Sequence, residues 1–162
     1  MMALAHGGHD ARARTLLDAP PGPRAERLAM YHHVRGSLLE RAGDPARARA
    51  AYERALELDP ELVEAAINLG PLHARLGDPA RARALLDGLL ARHPLADGAY
   101  RNRAVVRLNT GDESGFRADL EAALRLLPDA GLAQTLAKFA AQRGDAAAAE
   151  RWRAEARRLD PR

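Results

Sequence analysis

The chain has 162 residues, with 25 basic residues against 22 acidic ones, and no cysteine. That length supports one domain with a real core and little more. The missing cysteine excludes disulfides, thiolate zinc sites and a cysteine nucleophile.

The net charge of +3 is local: from Ala130 to Arg162 there are seven cations and four anions, and the remainder sums to zero. A surface built to coat nucleic acid would be more lopsided. Lys138 is the sole lysine, and the heavy use of Ala and Arg reflects a GC-rich genome. The opening MMALAHGGHDARARTLLDAPP lacks a basic-then-apolar leader pattern. No uncharged apolar window is long enough to span a bilayer. The expectation is a soluble, cytoplasmic protein without a membrane partner.

In chain order, GHDARARTLLD from Gly8 reads as a helix cut short at Pro20-Pro21-Gly22-Pro23. Beyond it a ruler emerges. Gly-Asp pairs stand at Gly43-Asp44, Gly77-Asp78, Gly111-Asp112 and Gly144-Asp145, spaced 34, 34 and 33 residues apart. Prolines stand at Pro60, Pro94, Pro128 and Pro161, with the same spacings. Two series in step over most of the chain define a repeat.

Each unit reads as two helices. The second begins at the Gly-Asp turn, where Asp44 can accept from free backbone N–H groups and Pro45 suits the first helical position. In ARARAAYERALEL, Ala48, Tyr52 and Ala55 form one stripe. The helix stops before Pro60, because proline disfavours helix in the residue preceding it. The next first helix, ELVEAAINLGPLHARLG, carries Ala65, Leu69, Leu72 and His73 on its packing stripe. Gly70 gives room for a close crossing. Pro71 removes a backbone hydrogen bond and is expected to kink this helix, at about 3 kcal/mol in an unrelieved interior.

The octapeptide GDPARARA occurs twice, at Gly43–Ala50 and Gly77–Ala84. Its arginines fall in a column, Arg49, Arg83 and Arg117, each with an acid four residues on: Glu53, Asp87 and Glu121. Such i,i+4 pairs contribute about 0.3 kcal/mol each and read as a solvated, self-neutralised face. A phosphate-cradling loop would need several glycines and a lysine.

These features resemble the tetratricopeptide repeat family, whose unit is a 34-residue helix-turn-helix with small residues at the crossing and a closing proline. Gly36, Ala48, Tyr52, Ala55 and Pro60 carry the first full unit. The second has Leu69, Gly70, Ala82, Leu86 and Pro94, with Leu89 in place of a small residue. The third has Tyr100, Ala104, Leu120, Ala123 and Pro128, with Phe116 where alanine is expected. The fourth has Leu136, Ala149, Ala156 and Pro161. The resemblance implies an all-α fold, a right-handed superhelix of hairpins. It comprises a partial repeat and Pro-rich turn over 1–27 and four repeats over about 28–60, 61–94, 95–128 and 129–162. Arg153 replaces the apolar Tyr52, Leu86 and Leu120 of the other units. That suits a last helix with no successor, and Trp152 is expected to cover part of it.

No catalytic or metal constellation stands out. His6, His9, His32, His33, His73 and His93 form no i,i+4 pair with a third ligand, and Ser37 and Ser114 lack a nucleophile motif. The expectation is a non-enzyme with no cofactor or metal.

The resemblance also implies that first helices line a concave groove that grips a peptide or partner helix. The implied liners are His33, Ser37, Glu40 and Arg41, then Glu64, Ile67, Asn68 and Arg75. Further along come Arg101, Asn102, Val105 and Asn109, then Gln134, Thr135 and Lys138. Asn68 and Asn102 hold equivalent places, and each offers a donor and an acceptor to a peptide backbone. Val34 and Thr135 interrupt that ladder. At the places where chaperone-binding relatives clamp a terminal carboxylate, only Asn68 of this chain fits, so chaperone tails are not the expected partner. Arg75, Arg101 and Lys138 make the groove mildly basic, favouring an acidic segment. The expected protein is a monomeric or homodimeric interaction scaffold. Two alternatives are an accessory subunit of an enzyme or of a secretion or assembly machine, and a nucleic-acid-binding repeat. An aromatic content of 4% counts against base stacking.

Overall fold

A computed structural model describes residues 22–160. The remnant helix expected from Gly8, with His6 and His9, lies outside them, as does Pro161.

A 3-10 turn at Ala25–Arg27 leads into eight α-helices among the described residues. They are α1 (Ala29–Arg41), α2 (Pro45–Leu58), α3 (Val63–Arg75), α4 (Pro79–Arg92), α5 (Asp97–Asn109), α6 (Glu113–Leu126), α7 (Ala130–Gln142) and α8 (Ala146–Leu159). No strand occurs among the described residues.

The ruler of the sequence is a ruler of turns. Gly43, Gly77, Gly111 and Gly144 all have φ between 76° and 91°, a region that costs other residues about 1–2 kcal/mol. The aspartate after each glycine donates its N–H to the carbonyl five residues back. The bonds are Asp44 to Leu39 (2.9 Å), Asp78 to His73 (2.9 Å), Asp112 to Arg107 (2.8 Å) and Asp145 to Ala140 (3.0 Å). That closes one helix by a Schellman turn. Three of the same aspartates open the next helix: Asp44, Asp112 and Asp145 accept from the N–H of Arg47, Gly115 and Ala148 at 3.0, 2.8 and 2.9 Å. One dipeptide thus ends a helix and starts another. At the other type of joint, Asp59 and Leu127 are extended (φ −143° and −135°), as residues before proline must be.

The chain divides into two compact units, before and after the Asp78–Pro79 bond. In the first, α1 and α2 pair as a hairpin and α3 packs on α2. Ala48, Tyr52, Ala55, Ala65 and Leu72 are fully buried there, and His73 is 3% exposed, as its stripe position predicts. Gly36 is needed because the Tyr52 ring lies on it: an added Cβ would stand 2.6 Å from Tyr52 Cε1. Pro71 is accommodated without ending α3, which is helical throughout from Val63 to Arg75.

In the second unit, α4 packs on α5, and α5/α6 and α7/α8 form hairpins. Its core joins Ala104, Phe116, Leu120, Leu124, Ala133, Leu136 and Ala156, with Phe139 and Trp152 packed against it. Phe116, where alanine was expected, is taken up by the Phe139 ring at 4.8 Å between centroids.

The repeat register exposes a difference between α1 and α3. Leu62, Ala65, Leu69 and Leu72 are at most 9% exposed, whereas Leu28 and Leu38, one repeat earlier than Leu62 and Leu72, are 56% and 41% exposed. With Met30 and Val34 they leave α1 an open apolar flank.

Candidate functional site

In the first unit the expected liners of α1 and α3 come together. The Asn68 Nδ2 amide donates to His33 Nε2 at 3.2 Å. With Nε2 accepting, Nδ1 of His33 carries the proton; it is buried and makes no hydrogen bond. Beneath them the Tyr52 hydroxyl donates to Glu40 Oε2 at 2.9 Å, and Ser37 and Asn68 lie in hydrogen-bond reach of it. Burial, and then the Glu40 carboxylate, push the Tyr52 phenol well above its ordinary pKa. Arg75 forms an ion pair with the other Glu40 oxygen. His33, Ser37, Glu40, Asn68 and Arg75 are therefore one polar row, tied across two first helices and footed on a buried tyrosine. Glu64 and Arg41 are exposed beside it, and Ile67 is half-buried.

In the second unit the liners behave differently. Arg101 donates to Asp129 at 3.0 Å and lies in ion-pair contact with Asp97 at 3.2 Å, so it ties α5 to the start of α7. Asp129 also accepts from the N–H groups of Gly131 (2.7 Å) and Leu132 (3.1 Å). Arg101, and then those amides, hold the Asp129 carboxyl below its usual range. Asn102 is half-buried, while Val105, Asn109, Gln134, Thr135 and Lys138 are exposed. Thr135 turns its hydroxyl back to the Gly131 carbonyl at 2.8 Å.

Two expectations change. Arg75 and Arg101 are neutralised by Glu40, Asp97 and Asp129, so the basic character assigned to these faces falls chiefly to Lys138. In the arginine column, Arg49–Glu53 (4.0 Å) and Arg83–Asp87 (3.6 Å) form, but Arg117 and Glu121 make no ion pair.

The sequence reading missed a buried charge cluster. Asp119 is 2% exposed. Arg103 donates to both its oxygens, at 2.9 and 2.6 Å, and also to Asp87 at 2.7 Å. Arg107 approaches Asp119 at 3.1 Å and Asp112 at 3.6 Å. Three helices, α4, α5 and α6, are joined through these arginines. A signal existed: the adjacent repeats put Leu69 and Leu136 in the place of Arg103, which only the first repeat also fills with arginine (Arg35), and Ala51, Leu85 and Trp152 hold the place of Asp119. Among the described residues no group of His, Asp or Glu could hold a metal ion, and no helix is long and apolar enough to cross a membrane.

Paired helices in a fixed register define a helical-hairpin repeat fold. Residues 39–102 match the tetratricopeptide repeat family, and the same turns and helix lengths continue to residue 159. Over residues 39–102 the chain is tetratricopeptide repeat sequence. No curated protein sequence matches it. Among solved structures, a MamA crystal structure is similar with a TM-score of 0.76 at 17% identity, covering 96% of this chain and 88% of the other. MamA of Desulfovibrio magneticus RS-1 gives 0.72 at 18% identity, covering 83% and 77%. PilW, a widely conserved type IV pilus biogenesis factor, gives 0.73 at 21% identity, covering 94% and 69%. At these identities the likeness establishes the fold.

Proposed function

We propose that the protein is a non-catalytic scaffold that holds a peptide or partner helix on its first-helix faces. His33, Ser37, Glu64, Asn68 and Arg75 serve in the first unit. Arg101, Asn102, Asn109 and Lys138 serve in the second. The observation that carries this reading is the His33–Asn68 pair. It is an ordered, half-buried polar couple that links the two first helices of the unit. Asn68 keeps its carbonyl oxygen for a peptide N–H. Asn102 holds the equivalent place one repeat on. Lys138 favours an acidic residue on the second unit's face.

Affinity capture from source lysate, compared between the parent chain and the Asn68→Ala/Asn102→Ala variant, tests this. The expected result is loss of the captured partner with helicity unchanged by circular dichroism. Equal capture by both proteins overturns the assignment of these faces.

A second reading is an accessory subunit with a permanent partner. The open apolar flank of α1, at Leu28, Met30, Val34 and Leu38, favours it, since lasting interfaces are more apolar than transient ones. A lysate-independent partner that co-purifies at fixed stoichiometry, and is lost on Val34→Asp, would select it.

A further inference from the structure

The fourth repeat departs from its siblings at two adjacent positions. Ala50, Ala84 and Ala118 occupy one place in the register, and Arg151 replaces them. Ala51, Leu85 and Asp119 occupy the next, and Trp152 replaces them. Neither change serves helix formation, for which alanine is the better residue. Both side chains line a cleft of about 810 Å³ between the first turns of α6 and α8 and the last turn of α7.

The cleft has an apolar floor and a charged rim in which Arg117, Arg143 and Arg151 outnumber Glu113 and Asp145. Phe139 and Trp152 are half-buried in it, and Ala140, Ala147 and Ala148 leave the space open. A guanidinium lies over each ring: Arg143 at 5.0 Å from the Phe139 centroid and Arg151 at 4.9 Å from that of Trp152. Arg143 is balanced by Glu113 through a two-pronged bond. Arg117 and Arg151 have no carboxylate within 4 Å, and Arg117 is the member of the arginine column whose own acid stays away. Two uncompensated guanidinium groups therefore border two aromatic faces.

We propose that this cleft is a second binding site, separate from the first-helix faces, and that it takes an acidic peptide segment carrying an aromatic side chain. The ring packs on Phe139 and Trp152, and flanking carboxylates meet Arg117 and Arg151, whose planar forks suit carboxylate geometry. The volume falls within the range of small-ligand sites and fits one large side chain with its neighbours. A bare phosphate is disfavoured because the helix starts beside the cleft are already occupied: Asp112 takes the Gly115 N–H and Asp145 the Ala148 N–H.

Trp152 is the only tryptophan in the chain, so it reports directly on the site. The probes are an acetylated, amidated pentapeptide with Phe at its centre and Asp or Glu on both sides, its Phe-to-Ala analogue, and inorganic phosphate, each titrated into the full chain. The expected result is a saturable change in Trp152 emission with the Phe peptide and a midpoint at least tenfold higher for the Ala analogue. Arg117→Gln/Arg151→Gln, both exposed positions, is expected to raise the midpoint at least tenfold with helicity unchanged. Asn68→Ala/Asn102→Ala is expected to leave it unaltered. No saturable change, an equal midpoint for the Ala analogue or for phosphate, or an unaltered midpoint in the arginine variant would each overturn the proposal.

Discussion

Arg103 grips Asp119 with both prongs of its guanidinium, at 2.9 and 2.6 Å, in a place where neighbouring repeats put only apolar side chains. Asp119 is almost fully buried, so its charge depends on Arg103 and Arg107 for solvation. Removing one partner strands a buried charge and typically costs about 3–5 kcal/mol, whereas replacing the pair by apolar residues is often neutral or stabilising. Arg103→Met is therefore expected to lower the urea midpoint sharply, and Arg103→Met/Asp119→Leu to recover much of the loss. Equal destabilisation by the single and double variants would show that the pair is not the source.

The Gly36–Tyr52 contact makes a compensation prediction. Gly36→Ala places a methyl 2.6 Å from the Tyr52 ring, and overpacking of this kind costs about 1–3 kcal/mol. The third hairpin solves the same crossing with Ala104 and Leu120, both buried. Gly36→Ala/Tyr52→Leu is thus expected to be more stable than Gly36→Ala alone, despite losing the hydroxyl bond to Glu40. Chemical denaturation of the three proteins measures it.

The Gly-Asp turns separate into two tests. Gly144→Ala forces a methyl-bearing residue to φ 76°, at about 1–2 kcal/mol. Asp145→Ala removes the acceptor for the Ala148 N–H, at about 1 kcal/mol. Both losses are expected in thermal melts, while Gly144→Asn, which tolerates this region, is expected to cost less than Gly144→Ala.

Acid should weaken the second unit in a defined window. Asp112 is held below the usual carboxylate range first by the Gly115 N–H, and Asp129 first by Arg101. Depressed folded-state values mean that the unfolded chain binds more protons in the acid range, so stability rises with pH there. The contribution is complete above the unfolded value, about pH 4, and is lost as pH falls through the folded values. Melting temperature is expected to fall below about pH 4, and Asp112→Asn/Asp129→Asn to flatten that fall. An unchanged pH profile in the variant would refute the assignment.

The architecture was legible because it rests on backbone chemistry that few residues can supply. A positive-φ turn followed by a helix cap asks for Gly-Asp, and an extended stop asks for proline, so periodicity of these types alone locates the helices. Small residues at the crossings followed from the same register. Side-chain pairing was less legible because it joins residues far apart in sequence. Arg75 and Arg101 read as free cations until Glu40 and Asp129, on other helices, were seen to meet them. The Arg103–Asp119 pair and the Arg151–Trp152 step lay in plain view as breaks in the register. Their meaning required knowing that one break points inward and the other lines an open cleft.

The uncovered flank of α1 has a consequence for motion. Leu62, Ala65, Leu69 and Leu72 of the second first-helix line are buried, while Leu28 and Leu38 of the corresponding line around α1 face solvent. In a linear array the element with fewest buried neighbours opens first and most often. Amide deuterium uptake should accordingly run as a gradient through the first unit, fastest in α1 and slowest in α3. A molecule seated on α1 would register as a slowing of that clock before any change in shape could be seen.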